Sequence, residues 1–164
     1  MNKTELLDQL IDHIQQEIDA TLAAVNEAHA LASHEQSKPE NQYDTLALEA
    51  AYLAHGQSER IAELQRQVML LNHFEVLEFN DDSRIALGAV VCVEELGALE
   101  DGKFQWFWLL PVAGGVLLNL NNTEVRTITA EAPLATKLLG AYLGDEINLS
   151  LGHTKKQFDI IELL

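Results

Sequence analysis

The sequence predicts an α+β protein: an N-terminal antiparallel coiled-coil hairpin of two helices, followed by a small antiparallel β-sheet domain with one short helix. Three observations support this prediction. Apolar residues recur every three or four positions in residues 1–74, and a polar segment interrupts them once. Residues 75–164 change to short apolar blocks separated by glycine, asparagine and aspartate. These two regions are therefore predicted to be two domains.

Two amphipathic stretches predict the helical hairpin. The first has its apolar residues at steps of four and three, on Leu7, Ile11, Ile14, Ile18, Leu22 and Val25. Thr4 is expected to cap this helix. The second stretch begins near Tyr43 and continues to Leu71, with Gly56 expected where the two helices come close. The polar, proline-containing segment 34–42 is predicted to be the turn between them.

The second half of the chain contains six candidate strands, separated by turn-forming residues. They are residues 86–93, 104–110, 116–118, 125–129, 146–151 and 157–163. Residues 132–140 are predicted to form a short helix, because a proline stands near its first turn and a glycine follows its end. Residues 75–82 are the candidate hinge between the two domains. Cys92, inside an apolar run, is predicted to be a buried strand residue rather than a reactive thiol.

The charge of the chain restricts its partners. The formal net charge is −16 over 164 residues, and both predicted domains are acidic. Because phosphate backbones and anionic lipids repel such a chain, neither sequence-specific nucleic-acid binding nor membrane binding is expected, and a basic protein surface is the expected partner. No apolar segment approaches the ~20 residues of a membrane span, and the N-terminus does not resemble a signal peptide, so the expected location is the cytoplasm.

Several short stretches resemble one known family. Residues 128–140 (ITAEAPLATKLLG), 144–146 (GDE) and 158–163 (FDIIEL) are similar to the C-terminal domain of bacterial Gre transcript-cleavage factors, and residues 85–91 (IALGAVV) are similar to its first strand. The resemblance implies an FKBP-like fold for this domain, RNA polymerase as the partner, and a hairpin that enters the polymerase secondary channel. The partner-binding residues that it implies are Asn41, Tyr43, Pro133, Leu134, Leu139 and Gly140.

The resemblance also implies a chemical role for the hairpin tip. In Gre factors, tip carboxylates help to hold Mg²⁺ in the polymerase active centre, where it activates water to cut backtracked RNA. Glu40 matches the family pattern, but Ser37 stands where the family has an aspartate. The candidate catalytic residues are Glu40, Asp44 and Glu35, with Glu40 and Asp44 as ligands of a Mg²⁺ shared with the polymerase. No intrinsic cofactor is expected, and the chain would assist the polymerase rather than act as an enzyme.

The sequence leaves alternative functions open. The chain could occupy the channel as a regulator without stimulating cleavage, with the tip carboxylates forming only a solvated turn. It could also be an FKBP-like interaction protein or prolyl isomerase, in which the aromatic block 104–108 lines a pocket; the alternative for that block is sheet core. The six histidines do not have zinc-ligand spacing. A hairpin buries its own apolar stripe, so a monomer is the simplest expectation.

Overall fold

A computed structural model describes residues 1–35, 45–96, 103–152 and 154–164 of the chain. The elements in chain order are α1 (Lys3–Glu35), α2 (Thr45–Asn72), β1 (Val90–Leu96), β2 (Lys103–Leu110), β3 (Leu117–Leu120), β4 (Thr123–Thr129), α3 (Ala135–Leu138), β5 (Glu146–Leu151) and β6 (Thr154–Leu163). Within the described ranges, no helix has the length and apolar character needed to cross a membrane. The predicted α+β class, with a helical part before a sheet and one short helix, is confirmed.

The chain divides into two compact units. One unit contains Ile11–His73, and the other contains Phe74–Leu164 together with Met1–Leu10. The first turns of α1 therefore group with the sheet. The two domains predicted from the sequence, 1–74 and 75–164, stay a prediction about which parts of the chain fold independently.

The start of α1 differs from the predicted cap. The side-chain oxygen of Asn2 accepts hydrogen bonds from the backbone N–H groups of Thr4, at 3.1 Å, and Glu5, at 3.3 Å. Because the helix begins at Lys3, Asn2 holds the position from which a side chain reaches the unpaired N–H groups of the first turn. The prediction that Thr4 caps this helix is wrong by two residues.

The helical unit buries part of the predicted apolar stripe. Ile14, Ile18, Ile61 and Leu64 are all buried, whereas Leu22 is 41% exposed. The Arg60 guanidinium donates from Nη2 to Glu17 Oε1 at 2.6 Å and so links α2 to α1. An ion pair this exposed adds little free energy, so the buried aliphatic residues supply most of the stability of the helix pair.

Gly56 has space around it on α2. The glycine is exposed, and among the described residues no atom lies within 4 Å of a Cβ built on its backbone. The close helix approach expected at this position is therefore not found in the described part of the chain. The remaining effect of Gly56 on stability is the conformational cost of a glycine within a helix.

We expect Gly56→Ala to raise the free energy of unfolding by about 1 kcal/mol, because alanine loses less backbone entropy in a helix than glycine. Urea unfolding followed by circular dichroism measures the change. Gly140→Ala is the matched control, because a Cβ there also has no neighbour within 4 Å but the backbone φ is +84°. The control should destabilise the protein. An equal effect of both substitutions would contradict this explanation.

The six strands form one mixed sheet in the order β3-β4-β2-β1-β6-β5. Four of the strand pairs are antiparallel, but β2 and β4 run parallel, with Trp106 opposite Val125 and Leu110 opposite Thr129. The prediction of a purely antiparallel sheet is therefore wrong for this pair. The reason is that β3 and β4 form a hairpin whose second strand, rather than its first, lies beside β2.

Most of the predicted strand ends lie within two residues of the ends in the structure. Residues 146–151 form a strand as predicted, and β2 and β4 begin one or two residues before the predicted positions. The first strand begins at Val90 instead of residue 86, because Gly88 has a φ of +95° and interrupts the extended chain. The Gly88 N–H donates to Leu109 O at 2.7 Å, and this bond positions the turn against β2.

One face of the sheet packs with α3 into the main apolar core. The cluster joins residues from β1, β2, β4, β5 and β6 to Ala135 and Leu138 of α3. The helix is shorter than the predicted segment 132–140, and Gly140 follows its end with a left-handed φ of +84°. Gly140 N–H donates to Ile85 O at 2.8 Å, and Ile85 N–H donates to Ala141 O at 2.9 Å. These two bonds position the loop after α3.

Candidate partner-binding site

The predicted tip residues fall mostly outside the described part of the chain. Glu35 is the last residue of α1, and α2 begins at Thr45. Glu40, Asn41, Tyr43 and Asp44 lie outside the described residues. The roles of the tip carboxylates in catalysis and Mg²⁺ binding therefore stay predictions.

The other predicted partner-binding residues lie at the two ends of α3. Pro133 and Gly140 are exposed, whereas Leu134 and Leu139 are half-buried against the core. Thr136 Oγ1 donates to Pro133 O at 2.8 Å and holds the proline at the start of the helix. The structure thus brings all four residues to one short helix and its two flanking turns. Their contact with a partner stays a prediction.

A polar pair that the sequence analysis did not identify lies next to these residues. Arg84 Nε donates to Tyr142 Oη at 2.6 Å, and the guanidinium carbon lies 5.4 Å from the centroid of the tyrosine ring. The hydrogen bond to Tyr142 is the main cause that raises the pKa of Arg84. Both side chains are exposed. The sequence separates the pair by 58 positions, so no local pattern could have indicated it.

The aromatic block contributes to the sheet core. Phe107 and Trp108 are buried, and the Trp108 indole N–H donates to Gly88 O at 3.2 Å. Trp106 is half-buried, and Phe104 is 58% exposed. The sheet-core interpretation is thus confirmed for Phe107 and Trp108. A pocket lined by the whole block would need the rings of Phe107 and Trp108 to be accessible to a ligand, and both rings are buried.

Cys92 is buried in β1, as its sequence context predicts. Burial is the main cause that raises the pKa of its thiol to about 11, and the negative charges of Glu162 and Glu94 add to the effect. At pH 8 the native thiol is therefore protonated and shielded from reagents.

We expect Cys92 to react with a soluble disulfide reagent only as fast as the protein unfolds at pH 8. Urea at the unfolding midpoint should speed the reaction by orders of magnitude. Because the folded-state pKa is raised, the thiol ionises first in the unfolded chain, so native stability should fall as pH rises towards 11. Absorbance of the released thiolate measures the rate. A fast reaction without denaturant would contradict the burial.

The acidic residues do not converge on a metal site in the described part of the chain. Over the ranges that the structure describes, no three His, Cys, Asp or Glu side chains lie close enough together to hold a metal ion. Glu95, which is largely buried, is paired with Lys156 Nζ at 2.8 Å. The hydrogen bond from Lys156 is the main cause that lowers the pKa of Glu95.

These features define an α+β protein that combines a two-helix unit, a mixed six-stranded sheet and an exposed short-helix surface. No protein-family model matches the chain. The chain is similar to the transcription elongation factor GreA of Syntrophus aciditrophicus, with 25% identity over 124 residues that cover 76% of this chain and 69% of the relative. The resemblance to Gre factors, as a divergent Gre-like chain, is therefore confirmed.

The chain is also similar, at low identity, to two solved structures. The crystal structure of Thermus aquaticus Gfh1 is 24% identical, covers 93% of this chain and 92% of that chain, and has a TM-score of 0.41. GreA/GreB from Nitrosomonas europaea is 21% identical, covers 66% and 78% of the two chains, and has a TM-score of 0.36. Because both TM-scores are below 0.5, these structural similarities support no conclusion beyond the sequence match.

Proposed function

We propose that the chain is a transcription elongation factor of the Gre type that binds RNA polymerase. One observation carries the proposal: the similarity to a GreA elongation factor extends over 76% of this chain. The order of the elements agrees with the proposal, because two long helices precede the sheet. In this function the chain is a cytoplasmic, monomeric regulator and not an enzyme.

The proposed binding mode uses both parts of the molecule. The sheet domain docks on the polymerase through the surface at α3, where Pro133 and Gly140 are exposed. The helix pair enters the secondary channel with segment 36–44 in front. Helices of 33 and 28 residues extend roughly 50 Å and 40 Å at ~1.5 Å per residue. This reach suits a channel-entering role.

The proposed chemical role lies at the tip. Glu40, with Asp44 or Glu35, would contribute carboxylate oxygens to a Mg²⁺ ion in the polymerase active centre. Magnesium prefers such oxygen ligands and keeps several waters, so a bound water can attack the RNA phosphodiester. Ser37 removes one carboxylate from the Gre pattern. This departure favours a second candidate function, in which the chain occupies the channel and modulates elongation without stimulating cleavage.

RNA cleavage in a stalled, backtracked elongation complex tests the proposal. Purified protein is added at increasing concentration, with Glu40→Ala as the variant and Glu5→Ala, on the first turn of α1, as a charge-matched control. Polymerase binding is measured in parallel by fluorescence anisotropy of the labelled protein. We expect Glu40→Ala to reduce cleavage without weakening binding, and Glu5→Ala to change neither.

The outcomes separate the candidate functions. Cleavage that depends on Glu40 supports the carboxylate mechanism. Binding without cleavage by the unmodified protein supports the channel-occupying regulator. If the protein does not bind polymerase at all, the Gre-type function is wrong. If the protein does bind, substitution of the exposed Pro133 by aspartate should be used to locate the docking surface, because it should weaken polymerase binding while leaving the fold intact.

A further inference from the structure

A hydrogen-bonded frame carries Arg84 and Tyr142, the exposed pair next to α3. Two backbone bonds join the segments that hold the pair: Ile85 N–H donates to Ala141 O at 2.9 Å, and Gly140 N–H donates to Ile85 O at 2.8 Å. Arg84 and Tyr142 are the next residues along each segment, so their side chains start from neighbouring points of a paired backbone. Main-chain bonds therefore position the pair in addition to its own hydrogen bond.

Each member of the pair also borders a turn that side-chain hydrogen bonds close. In the turn before the arginine, Asn80 Oδ1 accepts hydrogen bonds from Asp82 N–H at 3.0 Å and from Ser83 Oγ at 2.9 Å. In the turn after the tyrosine, Tyr142 N–H donates to Asp145 Oδ2 at 2.8 Å. Side chains that are already held in place lose little further conformational freedom when they bind a partner, so this arrangement lowers the entropic cost of binding.

The guanidinium of Arg84 has donors that the chain does not use. Its Nε–H donates to Tyr142 Oη, but within the described ranges neither Nη nitrogen has a hydrogen-bond or ion-pair partner. Tyr142 is the only side chain that raises the pKa of Arg84, so no carboxylate in the described part of the chain neutralises this charge. The two Nη groups carry N–H donors in one plane, a geometry that binds a carboxylate through two parallel hydrogen bonds.

The charge of the whole chain indicates which partner group these donors would meet. The chain has 26 acidic and 10 basic residues, so it repels phosphate backbones, and nucleic acid is disfavoured as the ligand of Arg84. A carboxylate on a protein surface remains. The acidic chain would attract a basic partner surface from a distance, and one arginine in a fixed position would then select one carboxylate within that surface and set the orientation.

We propose that Arg84 is a specificity-determining residue of the docking surface, that its Nη groups bind an aspartate or glutamate of RNA polymerase, and that Tyr142 is its positioning residue. This role rests on the proposed function and adds to it the chemical group that the surface recognises. The position of the pair supports the role, because Gly140, two residues before Tyr142, belongs to the surface at α3 that the Gre resemblance selects. Arginine and tyrosine are also among the residue types that dominate binding energy at protein interfaces.

Polymerase binding by single variants tests the role. RNA polymerase core enzyme, without nucleic acid, is titrated into the labelled protein, and fluorescence anisotropy gives the affinity. We expect Arg84→Gln to weaken binding about tenfold. Tyr142→Phe should weaken it about threefold, because the guanidinium loses the hydrogen bond that holds it. The control is Lys103→Gln, which removes an exposed positive charge at the start of β2 and should change the affinity by less than about twofold.

Three readouts separate contact with a carboxylate from a purely structural role. The ratio of the affinities of unmodified protein and Arg84→Gln should decrease with added salt, because salt screens an exposed ion pair. The unfolding temperature of Arg84→Gln should stay within about 2 °C of the unmodified protein, since the side chain is exposed. Adding Tyr142→Phe to Arg84→Gln should not weaken binding further, because the tyrosine acts through the arginine.

Carbodiimide cross-linking identifies the partner group. Arg84→Lys places a primary amine where the guanidinium was, and a water-soluble carbodiimide couples this amine to an adjacent carboxylate. The amide C–N bond forms as the activated carboxyl group loses the carbodiimide, which leaves as its urea. At saturating protein, we expect mass spectrometry to find position 84 joined to an aspartate or glutamate of the polymerase. The unmodified chain, with arginine at this position, should give no such product.

The results distinguish failure of this role from failure of the proposed function. If the unmodified protein does not bind polymerase, the proposed function is wrong and the role of Arg84 is wrong with it. If the protein binds but Arg84→Gln binds equally tightly, or Arg84→Lys gives no cross-link, only the role of Arg84 is wrong. An equal loss in Lys103→Gln would also overturn it, because overall charge would then be the cause. Binding of single-stranded RNA that Arg84→Gln abolishes would overturn it in favour of a phosphate ligand.

Discussion

Replacing Trp108 by alanine is expected to lower the free energy of unfolding by about 4 kcal/mol. The side chain is fully buried on β2, between its sheet neighbours Val90 on β1 and Thr127 on β4. Its removal leaves a large cavity and also leaves Gly88 O without the indole N–H that donates to it. Urea unfolding monitored by far-ultraviolet circular dichroism measures the loss.

Trp106→Ala is the matched control for this prediction. It removes the same side chain two residues earlier on the same strand, where the ring is only half-buried. We expect this control to cost less than half as much, because less apolar surface returns to water. The loss of stability in Trp108→Phe should lie between the losses in Trp106→Ala and Trp108→Ala, since phenylalanine keeps an aromatic ring but cannot donate the hydrogen bond to Gly88 O. Equal losses at positions 106 and 108 would show that burial of Trp108 is not the cause.

The helices could be predicted because their pattern is local. The apolar residues recur at the helical period, and the structure buries Ile14 and Ile18 of that stripe. The cap was missed because serine, threonine and asparagine all satisfy the same rule, and Asn2 stands only two positions before Thr4. The exposure of Leu22 shows a second limit, since periodicity indicates a face but not what covers it.

The sheet could be predicted strand by strand but not in its pairing. Alternation and turn residues located Glu146–Leu151 correctly, because both signals lie within a few residues of the strand. The parallel pairing of β2 with β4 depends on which strand of a hairpin meets its neighbour, and no local pattern encodes that choice. For the same reason the pairing of β1 with β6 could not be seen in the sequence: Glu94 and Asp159 are 65 positions apart and become neighbours only in the sheet.

The candidate site could be predicted only in part. The resemblance selected Pro133 and Gly140, and the structure places both at the exposed ends of α3. The pair Arg84 and Tyr142 beside them was missed, because a hydrogen bond between distant residues leaves no mark on either local sequence. The two kinds of residue therefore differ in how they can be found. Motif residues follow from resemblance, whereas pairs that the fold brings together require coordinates.

Ser37→Asp is expected to increase cleavage of backtracked RNA on the order of tenfold, if the proposed Gre-type function holds. The substitution restores the carboxylate that Gre factors have three residues before the glutamate matched by Glu40. A second carboxylate should strengthen Mg²⁺ binding and hold the attacking water in position, and changes around a metal ion commonly alter affinity or rate by 10- to 100-fold. Cleavage rates in stalled elongation complexes at saturating protein measure the effect.

Two further variants determine whether the added charge is the cause. Ser37→Asn introduces a side chain of nearly the same size without the carboxylate, so it should leave cleavage unchanged. Ser37→Asp combined with Glu40→Ala should lose the gain, because one carboxylate cannot replace the pair. Equal rates for the aspartate and asparagine variants would contradict the carboxylate explanation. A large gain that survives the loss of Glu40 would instead assign the second ligand to Asp44 or Glu35.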